Sequence, residues 1–569
     1  MPEDSFDLLS DAVPPCWRRH ADALWAGAVF VLTVSLTVLA FPPFNAPECG
    51  YLLVAPAACW AYRRPRWIIF AATVLGAQAA AWTVVLGWLR HVTWGGLLLL
   101  GPFVGVWVGL WFVAARWALP RLPGRLWPVR VLTMLALAAL WVVNEWTRTW
   151  LLSGFPWLPL AASQWQRAVI LQIAAYTGAS GVSFVLVTMN LGLAAFAHWL
   201  LFEGGRGTLD DRPGMRGRRC PELLAAMFLL LGCFTVFLHE TTSRAPFTVP
   251  LARVAFVQPN IPQEIKWDNT KAPEILAVLV DVTRAAAVTQ PDLILWPEAT
   301  TPWALNADAS LRARVETLAR EAGTPLVLGS IAIEAAGGNA TDWLNAAFIV
   351  DPMVGMQERI YAKRKLVPFG EYVPFRPLLG WIGKFVPIGD DFARGENAEP
   401  LHVKAGGADG RPLALGELIC YEDVFSPLAR ASALAGADVL VVHTNDAWYG
   451  EGGMAAQHAA HSVLRAVETR RPVLRDGNAG WSGWIDEFGV VRAVLTRDAT
   501  GHVTTDPTLA TNGTVYFRGA AATDVTRDSR WIGRQSYYTE HGDWFVAACA
   551  ALAFAGWLAL RRPPLNPAT

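Results

Sequence analysis

Charge and cysteine are both scarce in this chain of 569 residues. Asp, Glu, Lys and Arg make up 17% of it, and 47 basic residues balance 47 acidic ones, so the formal net charge is zero. No overall field therefore favours nucleic acid or an acidic substrate. Cysteine occurs seven times. Cys16, Cys49, Cys59, Cys220, Cys233 and Cys549 lie in or beside apolar blocks, where small buried thiols are common, and no spacing among them matches a zinc site. Cys420 stands apart as the one cysteine between about Arg244 and Tyr538, with no second cysteine in that stretch to pair with. Internal repeats and low-complexity tracts are absent as well.

What the chain has in excess is apolar surface: 53% hydrophobic residues and 28 tryptophans, more than a soluble protein usually carries. The excess is uneven. Residues before about Glu240 form long apolar blocks joined by short arginine-rich links, whereas about Arg244 to Tyr538 mixes charge, glycine and short apolar runs as a globular domain does. A membrane helix needs roughly 20 mostly apolar residues. The runs that approach this are Leu24–Ala40, Gly50–Ala61, Trp67–Leu89, Gly95–Ala115, Val129–Trp146, Leu171–Phe202, Leu223–Leu238 and Trp544–Leu560, so about eight crossings are expected, the second being short.

Arginines fix an expected orientation, because cytoplasmic loops carry excess Lys and Arg. With Arg18 and Arg19 inside, alternate connections hold Arg63, Arg64 and Arg66; then Arg116, Arg121, Arg125 and Arg130; then Arg206, Arg212, Arg216, Arg218 and Arg219; and finally Arg561 and Arg562. The opposite connections hold only Arg90, Arg148 and Arg167. The polar domain after the seventh span is then expected outside. Phe41-Pro42-Pro43-Phe44 follows the first span instead of a small-residue cleavage site, so that span reads as an uncleaved anchor. Asn144 and Glu145 read either as an intramembrane polar pair or as a structural hydrogen bond. Ser153-Gly154-Phe155-Pro156-Trp157, with Trp165 after it, suits a floor under the polar domain.

Within the polar domain, short apolar runs recur at Val254–Val257, Leu293–Trp296, Leu326–Ile333, Ala346–Val350, Leu413–Ile419, Val439–Val442, Val473–Leu474 and Val490–Leu495. Their brevity and β-branched content predict buried strands. Ala272–Ala287, Leu311–Ala322 and Ala455–Arg470 have helical length and composition, which together predict an α/β layered domain.

Three segments carry charge at the end of an apolar run. In Leu293-Ile294-Leu295-Trp296-Pro297-Glu298 the proline limits the strand, so Glu298 emerges at the sheet's edge, either as a general base or as a turn residue. Tyr361-Ala362-Lys363-Arg364-Lys365-Leu366-Val367-Pro368-Phe369-Gly370-Glu371 combines basic residues with a proline-bounded turn and a carboxylate. Periodicity does not choose between Lys363 and Lys365, which share a face of an extended chain. In Gly416-Glu417-Leu418-Ile419-Cys420-Tyr421-Glu422 the thiol reads either as a buried apolar cysteine or as a nucleophile, and a nucleophile needs a base or a cation beside it. His443, His458 and His461 read as structural; the last two lie one helical turn apart, but no third ligand cluster accompanies them.

The order Glu, Lys, Cys on successive strand ends resembles the nitrilase superfamily of carbon-nitrogen hydrolases, and most closely its membrane-bound apolipoprotein N-acyltransferase branch. The resemblance runs through the multispan front, Ser153–Trp157, Gln258-Pro259-Asn260-Ile261-Pro262-Gln263 with Lys266-Trp267, Trp296-Pro297-Glu298, Tyr361–Pro374, Cys420-Tyr421-Glu422, Thr444-Asn445-Asp446-Ala447-Trp448-Tyr449-Gly450 and the terminal span. It implies a multispan α-helical membrane domain of about eight helices (1–245), an extracytoplasmic nitrilase-like αββα sandwich (246–537), and a terminal membrane helix with a short cytoplasmic tail (538–569). It makes Lys363 the catalytic lysine beside Glu298 and Cys420, gives Glu371 and Glu422 supporting roles, and has Trp267, Tyr421 and Trp448 contact substrate. One departure is Arg475-Asp476-Gly477-Asn478-Ala479-Gly480-Trp481-Ser482-Gly483-Trp484, which keeps an Asn-x-Gly-x-Ser core but adds aromatics.

The implied activity is transfer of a fatty acyl chain from a phospholipid, through a Cys420 thioester, to the α-amine of an apolipoprotein's diacylglyceryl-cysteine. The implied enzyme is a monomer of the bacterial inner membrane with its catalytic domain on the periplasmic side, using no metal or other cofactor and binding no nucleic acid. Drawing one long acyl chain into water costs on the order of 10 kcal/mol, so such a site has to lie at the membrane. Segment Phe375–Ile388, with Leu378, Leu379, Trp381, Ile382 and Phe385, reads either as an arm that guides lipid or as a packed loop. The competing functions are a membrane-tethered amidase or nitrilase with water as acceptor, and a non-catalytic lipoprotein-binding scaffold.

Overall fold

The computed structural model describes residues 15–203, 220–242, 244–335, 341–381, 391–405, 411–508 and 513–561. The arginine-rich link from 204 to 219, Ile382 and Phe385 of the expected arm, and Arg562 lie outside the described residues. By its contacts the chain forms two compact units: Met1–Trp146 with Ser183–Gly232 and Val546–Thr569, and Thr147–Val182 with Cys233–Phe545.

The first unit is helical: α1 (Pro15–Ala40), α2 (Ala55–Tyr62), α3 (Trp67–Val85), α4 (Trp94–Ala118), α5 (Trp127–Thr147), most of α6 (Ala179–His198), the first half of α7 (Pro221–Thr241), and the C-terminal Trp544–Arg561. Among the described residues seven helices are long and apolar enough to cross a membrane. The second expected crossing is a correction. It folds as a tight 3-10 turn at Pro47–Tyr51 and the eight-residue α2, and at about 1.5 Å per residue α2 covers about 12 Å of a roughly 30 Å hydrocarbon core.

The chain nevertheless returns from one end of this unit to the other between Phe41 and Tyr62. Phe41 packs on Trp82 near the end of α3, whereas Tyr62 stacks on His198 at 4.8 Å and Arg63 lies over Trp25 near the start of α1. Among the described residues the broken segment thus runs back toward the end of the unit where α1 begins. Broken backbone in a bilayer needs partners from elsewhere in the protein. Asn190 of α6 supplies them: its Oδ1 accepts from the Val54 and Ala55 amides at 2.8 and 3.2 Å, and its Nδ2 donates to Gly50 O at 2.9 Å. Asn144, expected either in a polar pair or in a structural hydrogen bond, donates to the Trp107 carbonyl at 3.1 Å. Small residues let α3 and α4 approach closely; a Cβ on Gly101 would lie 2.8 Å from the Thr83 backbone.

The second unit is an α/β sandwich. Its first sheet has β1 (Thr248–Gln258), β2 (Leu293–Trp296) and β3 (Leu326–Ala335) in parallel, with β4 (Thr341–Asp351) antiparallel to β3 and the short β5 (Gly355–Met356) and β6 (Tyr361–Ala362) paired to β4. Its second sheet repeats the plan. β8 (Leu413–Ile419), β9 (Val439–Thr444) and β10 (Val473–Gly477) are parallel, flanked by β7 (Leu401–Val403), β11 (Gly483–Ile485) and β12 (Val491–Val494). A small hairpin joins β13 (Thr496–Arg497) to β14 (Val503–Thr504), and β15 (Gly519–Asp528) completes the first sheet beside β1.

Strand alternation builds the layers. Val254 and Phe256 of β1 point between the sheets, with Leu295, Leu415, Val439, Val441 and Leu474, while Ala255 and Val257 face α8 (Ala272–Ala287) and α9 (Ala309–Ala322). Helices α10 (Ser426–Leu434) and α11 (Met454–Thr469) cover the other sheet. Every expected strand and helix of this domain is present. Residues Thr147–Val182, expected within the front by composition, pack with this unit: Trp157 Nε1 donates to Gln457 at 2.9 Å, and the Ala179 amide donates to Glu468 at 2.8 Å.

Candidate active site

Glu298, Lys363 and Cys420 each follow the carboxyl end of a strand, β2, β6 and β8 respectively. After β2 the chain turns at Pro297 and passes directly over β3. Only glycine fits beneath it, because a Cβ on Gly329 would lie 2.6 Å from Pro297 O and 2.7 Å from Glu298 Cα. The turn closes through hydrogen bonds from Thr300 N to Gly329 O and from Gly329 N to Pro297 O.

Lys363 is held on both backbone sides, its N–H donating to Asn345 O and its C=O accepting from Gly395 N. Its side chain is 1% exposed, and Nζ lies 3.1 Å from Glu298 Oε1 and 2.9 Å from Glu371 Oε1. Asn345 Nδ2 donates to the same two oxygens, at 2.8 and 3.0 Å. Glu371 Oε2 accepts from the Val367 amide, which closes the loop carrying it. Lys365, the competing lysine, turns away onto the Phe425 ring.

Cys420 begins a 3-10 turn and has φ +51°, a left-handed conformation that is uncommon for a residue with a side chain. Directly after it, Glu422 is fully buried and accepts four hydrogen bonds: from Tyr361 Oη and Ile419 N on one oxygen, and from Arg364 N and Lys365 N on the other. One carboxylate thus ties the lysine segment to the cysteine turn.

Electrostatics set the resting proton positions. Burial would raise the Glu298 pKa, but Lys363, Lys266 and the hydrogen bonds from Asn345 and Lys363 take it below the ordinary carboxylate value. Burial works against the Lys363 ammonium, and Glu298 and Glu371 more than reverse that, so its pKa lies well above a free lysine's. Burial, together with the Glu298 charge, pushes the Cys420 thiol far up, opposed by Lys363 and a hydrogen bond with Thr444. The resting site is therefore a neutral thiol facing a carboxylate and an ammonium.

A second lysine belongs here. Lys266 is 3% exposed and donates to the backbone carbonyl of Glu298 at 3.1 Å, and burial brings its pKa down to about 8 against the pull of Glu298 and Cys420. Among the residues expected to touch substrate, Trp267 and Trp448 are half exposed, whereas Tyr421 is buried, with its hydroxyl on Gly154 O and its ring against Phe155 and Phe425. Of the expected arm, Phe375, Leu378 and Trp381 are exposed.

Two family models match this chain: the apolipoprotein N-acyltransferase N-terminal domain over residues 34–192 and the carbon-nitrogen hydrolase domain over residues 253–516. The apolipoprotein N-acyltransferase of Geobacter metallireducens is 33% identical over 76% of this chain and 75% of its own length. That of Brucella melitensis is 31% identical over 86% and 89%. The chain belongs to the apolipoprotein N-acyltransferase family. The Pseudomonas aeruginosa member of the family is 32% identical over 84% and 88%. An amidase of known structure from Nesterenkonia sp. shares 20% identity with a TM-score of 0.33, covering 49% of this chain and 92% of its own.

In this member of the apolipoprotein N-acyltransferase family, Asn345 and Lys266 contact Glu298 without having been marked by sequence reasoning. Asn345 is one polar residue in the middle of a buried strand. Lys266 stood beside the recognised Trp267 without a role of its own.

Proposed function

We propose that this chain moves a fatty acyl group from a phospholipid to the α-amine of an apolipoprotein's diacylglyceryl-cysteine by way of a thioester on Cys420. Family membership supports the reaction class, and the convergence of Glu298, Lys363 and Cys420 at strand ends is the observation that carries the mechanism.

Glu298 takes the Cys420 proton as sulfur attacks the ester carbonyl carbon, so the thiolate forms only during attack. Lys363 donates to the resulting oxyanion. Collapse breaks the ester C–O bond, and the lysophospholipid oxygen leaves with the proton from Glu298. In the second half the neutral amine attacks the thioester carbonyl, Glu298 accepts the amine proton, and the C–S bond breaks. Glu298 then returns a proton to sulfur, leaving an amide and the free thiol. Glu371 and Asn345 hold Lys363 and Glu298 in register, and Glu422 holds the lysine segment against the nucleophile.

The exposed Trp267, Trp448, Phe375, Leu378 and Trp381 suit contact with acyl chains. Arginine alternation along the sequence supports the α/β unit lying on the periplasmic side of a bacterial inner membrane; the enzyme acts there as a monomer. Intact mass spectrometry after incubation with phospholipid tests the reading. The expected result is a fatty-acyl adduct that is absent from a Cys420→Ala variant and released by a lipopeptide amine. Absence of an adduct under turnover sinks the scheme, release only to water with hydrolysis of a soluble amide favours an amidase, and full client maturation by Cys420→Ala favours a scaffold.

A further inference from the structure

At the backbone carbonyl of Cys420 lies a second charged cluster that the proposed chemistry does not use. Helix α11 carries His458, which is 1% exposed. Its Nε2 lies 3.1 Å from the Cys420 carbonyl oxygen and 3.0 Å from Asp423 Oδ1, and its Nδ1 lies 3.1 Å from Asp446 Oδ1. From β10, Arg475 reaches Asp423 Oδ2 at 3.0 Å and Asp446 Oδ2 at 3.4 Å. Ser462, one turn along α11, donates to Asp423 Oδ2 at 2.5 Å.

The chemistry of these partners fixes the state of the ring. A backbone carbonyl accepts only, and so does an ionised carboxylate. Both ring nitrogens face such acceptors, so each has to carry a proton. A neutral ring would set a lone pair against an oxygen lone pair at one end. The next histidine along α11 differs, since His461 Nε2 accepts from the Leu158 amide at 3.2 Å, which requires a bare nitrogen.

We propose that His458 is a positioning residue for the nucleophile: a standing imidazolium that grips the Cys420 carbonyl, so holding its left-handed backbone, and offsets the carboxylates of Asp423 and Asp446 behind the thiol. The groups that face it are Asp423 from the cysteine turn, Asp446 from the end of β9, Arg475 from β10, and His461 on its own helix. With two cations against two carboxylates the cluster of His458, Arg475, Asp423 and Asp446 is neutral. Without the His458 charge it carries a net negative charge beside a thiol that has to become a thiolate, and Asp446 already acts against that ionisation.

The inference rests on Cys420 being the nucleophile proposed above, and its test separates the two. In the full-length protein the rate of Cys420 alkylation by iodoacetamide at pH 8 reports thiolate formation without any acyl transfer. His458→Gln keeps a donor for the carbonyl but removes the charge, and its alkylation rate is expected to fall by roughly tenfold, the equivalent of one pKa unit. Acyl-enzyme formation at saturating phospholipid falls with it, while the half-saturating phospholipid concentration stays put. Asp446→Asn removes a negative charge of similar shape and is expected to react with iodoacetamide as fast as the parent or faster. A role in packing alone slows both variants, so a slower Asp446→Asn overturns the proposal, as does an unchanged His458→Gln. Should His458→Gln fail to melt as a folded protein, Asp446→Asn alone decides. A parent protein that alkylates at Cys420 but forms no acyl adduct would instead refute the acyl-transfer reading.

Discussion

Lys363 and Glu298 form an ion pair at 3.1 Å with the ammonium almost wholly shielded from solvent, so each sets the other's protonation. Breaking a buried pair by removing one partner leaves an uncompensated charge. In Lys363→Met, Glu298 and Glu371 face one another without the ammonium between them. Acyl-enzyme formation is expected to fall by about 10²–10³-fold, the usual cost of losing one oxyanion donor. Rapid-quench mass spectrometry of the adduct measures it.

The lowered pKa of Glu298 sets the acid limb of the pH profile. A carboxylate whose folded pKa lies below its unfolded value contributes stability that is present above the unfolded value and lost as pH falls through the folded one. Activity should follow the same group, so the acid limb of acylation is expected below the ordinary carboxylate range. In Asn345→Leu, which removes a donor to both Glu298 and Glu371, the limb moves to higher pH. A pH–rate profile of adduct formation for both proteins checks the direction.

Glu422 spans two segments that the sequence separates by about sixty residues. In Glu422→Gln one oxygen remains to accept and an amide nitrogen faces two donors. Each stranded donor costs about 1–3 kcal/mol. The melting temperature is expected to fall. Acylation is expected to fall further, on the order of a hundredfold, because the lysine segment loses its tie to the cysteine turn. A variant that melts lower but acylates normally would show that Glu422 acts on the fold alone.

Lys266 has the opposite sign from an ordinary lysine. Its folded pKa of about 8 lies below the unfolded value, so between about pH 8 and 10 the unfolded chain binds more protons and stability rises with pH. Activity moves the other way as the cation beside Glu298 and Cys420 is lost. The alkaline limb of acylation is expected near pH 8, and Lys266→Gln should abolish that limb while lowering the plateau.

These residues show where sequence reading succeeds and where it stops. Charge at the end of an apolar run marked Glu298 and Cys420 because a strand end is local, and resemblance chose Lys363 over Lys365. Short apolar runs marked β1, β2, β8 and β9 as buried strands, and resemblance supplied the layer order. Strand β15 escaped because Gly519–Asp528 is rich in alanine, threonine and charge and forms no apolar run, yet ten of its residues pair with β1. Likewise Ser426–Leu434 is too short and too weakly patterned to announce a helix. His458 read as structural because its partners Asp423, Asp446 and Arg475 meet only when three strand ends and a helix are brought together.

Asn190 offers a test of the helical unit separate from the chemistry. In the broken second traverse one side chain meets the Val54 and Ala55 amides and the Gly50 carbonyl, the Ala55 amide also reaching Leu52 O. Polar contacts between membrane helices are worth about 1–2 kcal/mol in model peptides and less in whole proteins, because the unfolded state in the membrane also finds partners. Asn190 makes several such contacts to irregular backbone, where the alternative is an unsatisfied group in hydrocarbon. Asn190→Leu is therefore expected to lower the melting temperature in detergent by more than a lipid-facing control such as Leu99→Ala, which exposes no backbone. Asn190→Gln keeps the amide but places it one methylene further out, so it should fall between the two. If Asn190→Leu melts with the control, the broken segment is satisfied by other means, and Asn190 is not what holds the second traverse in place.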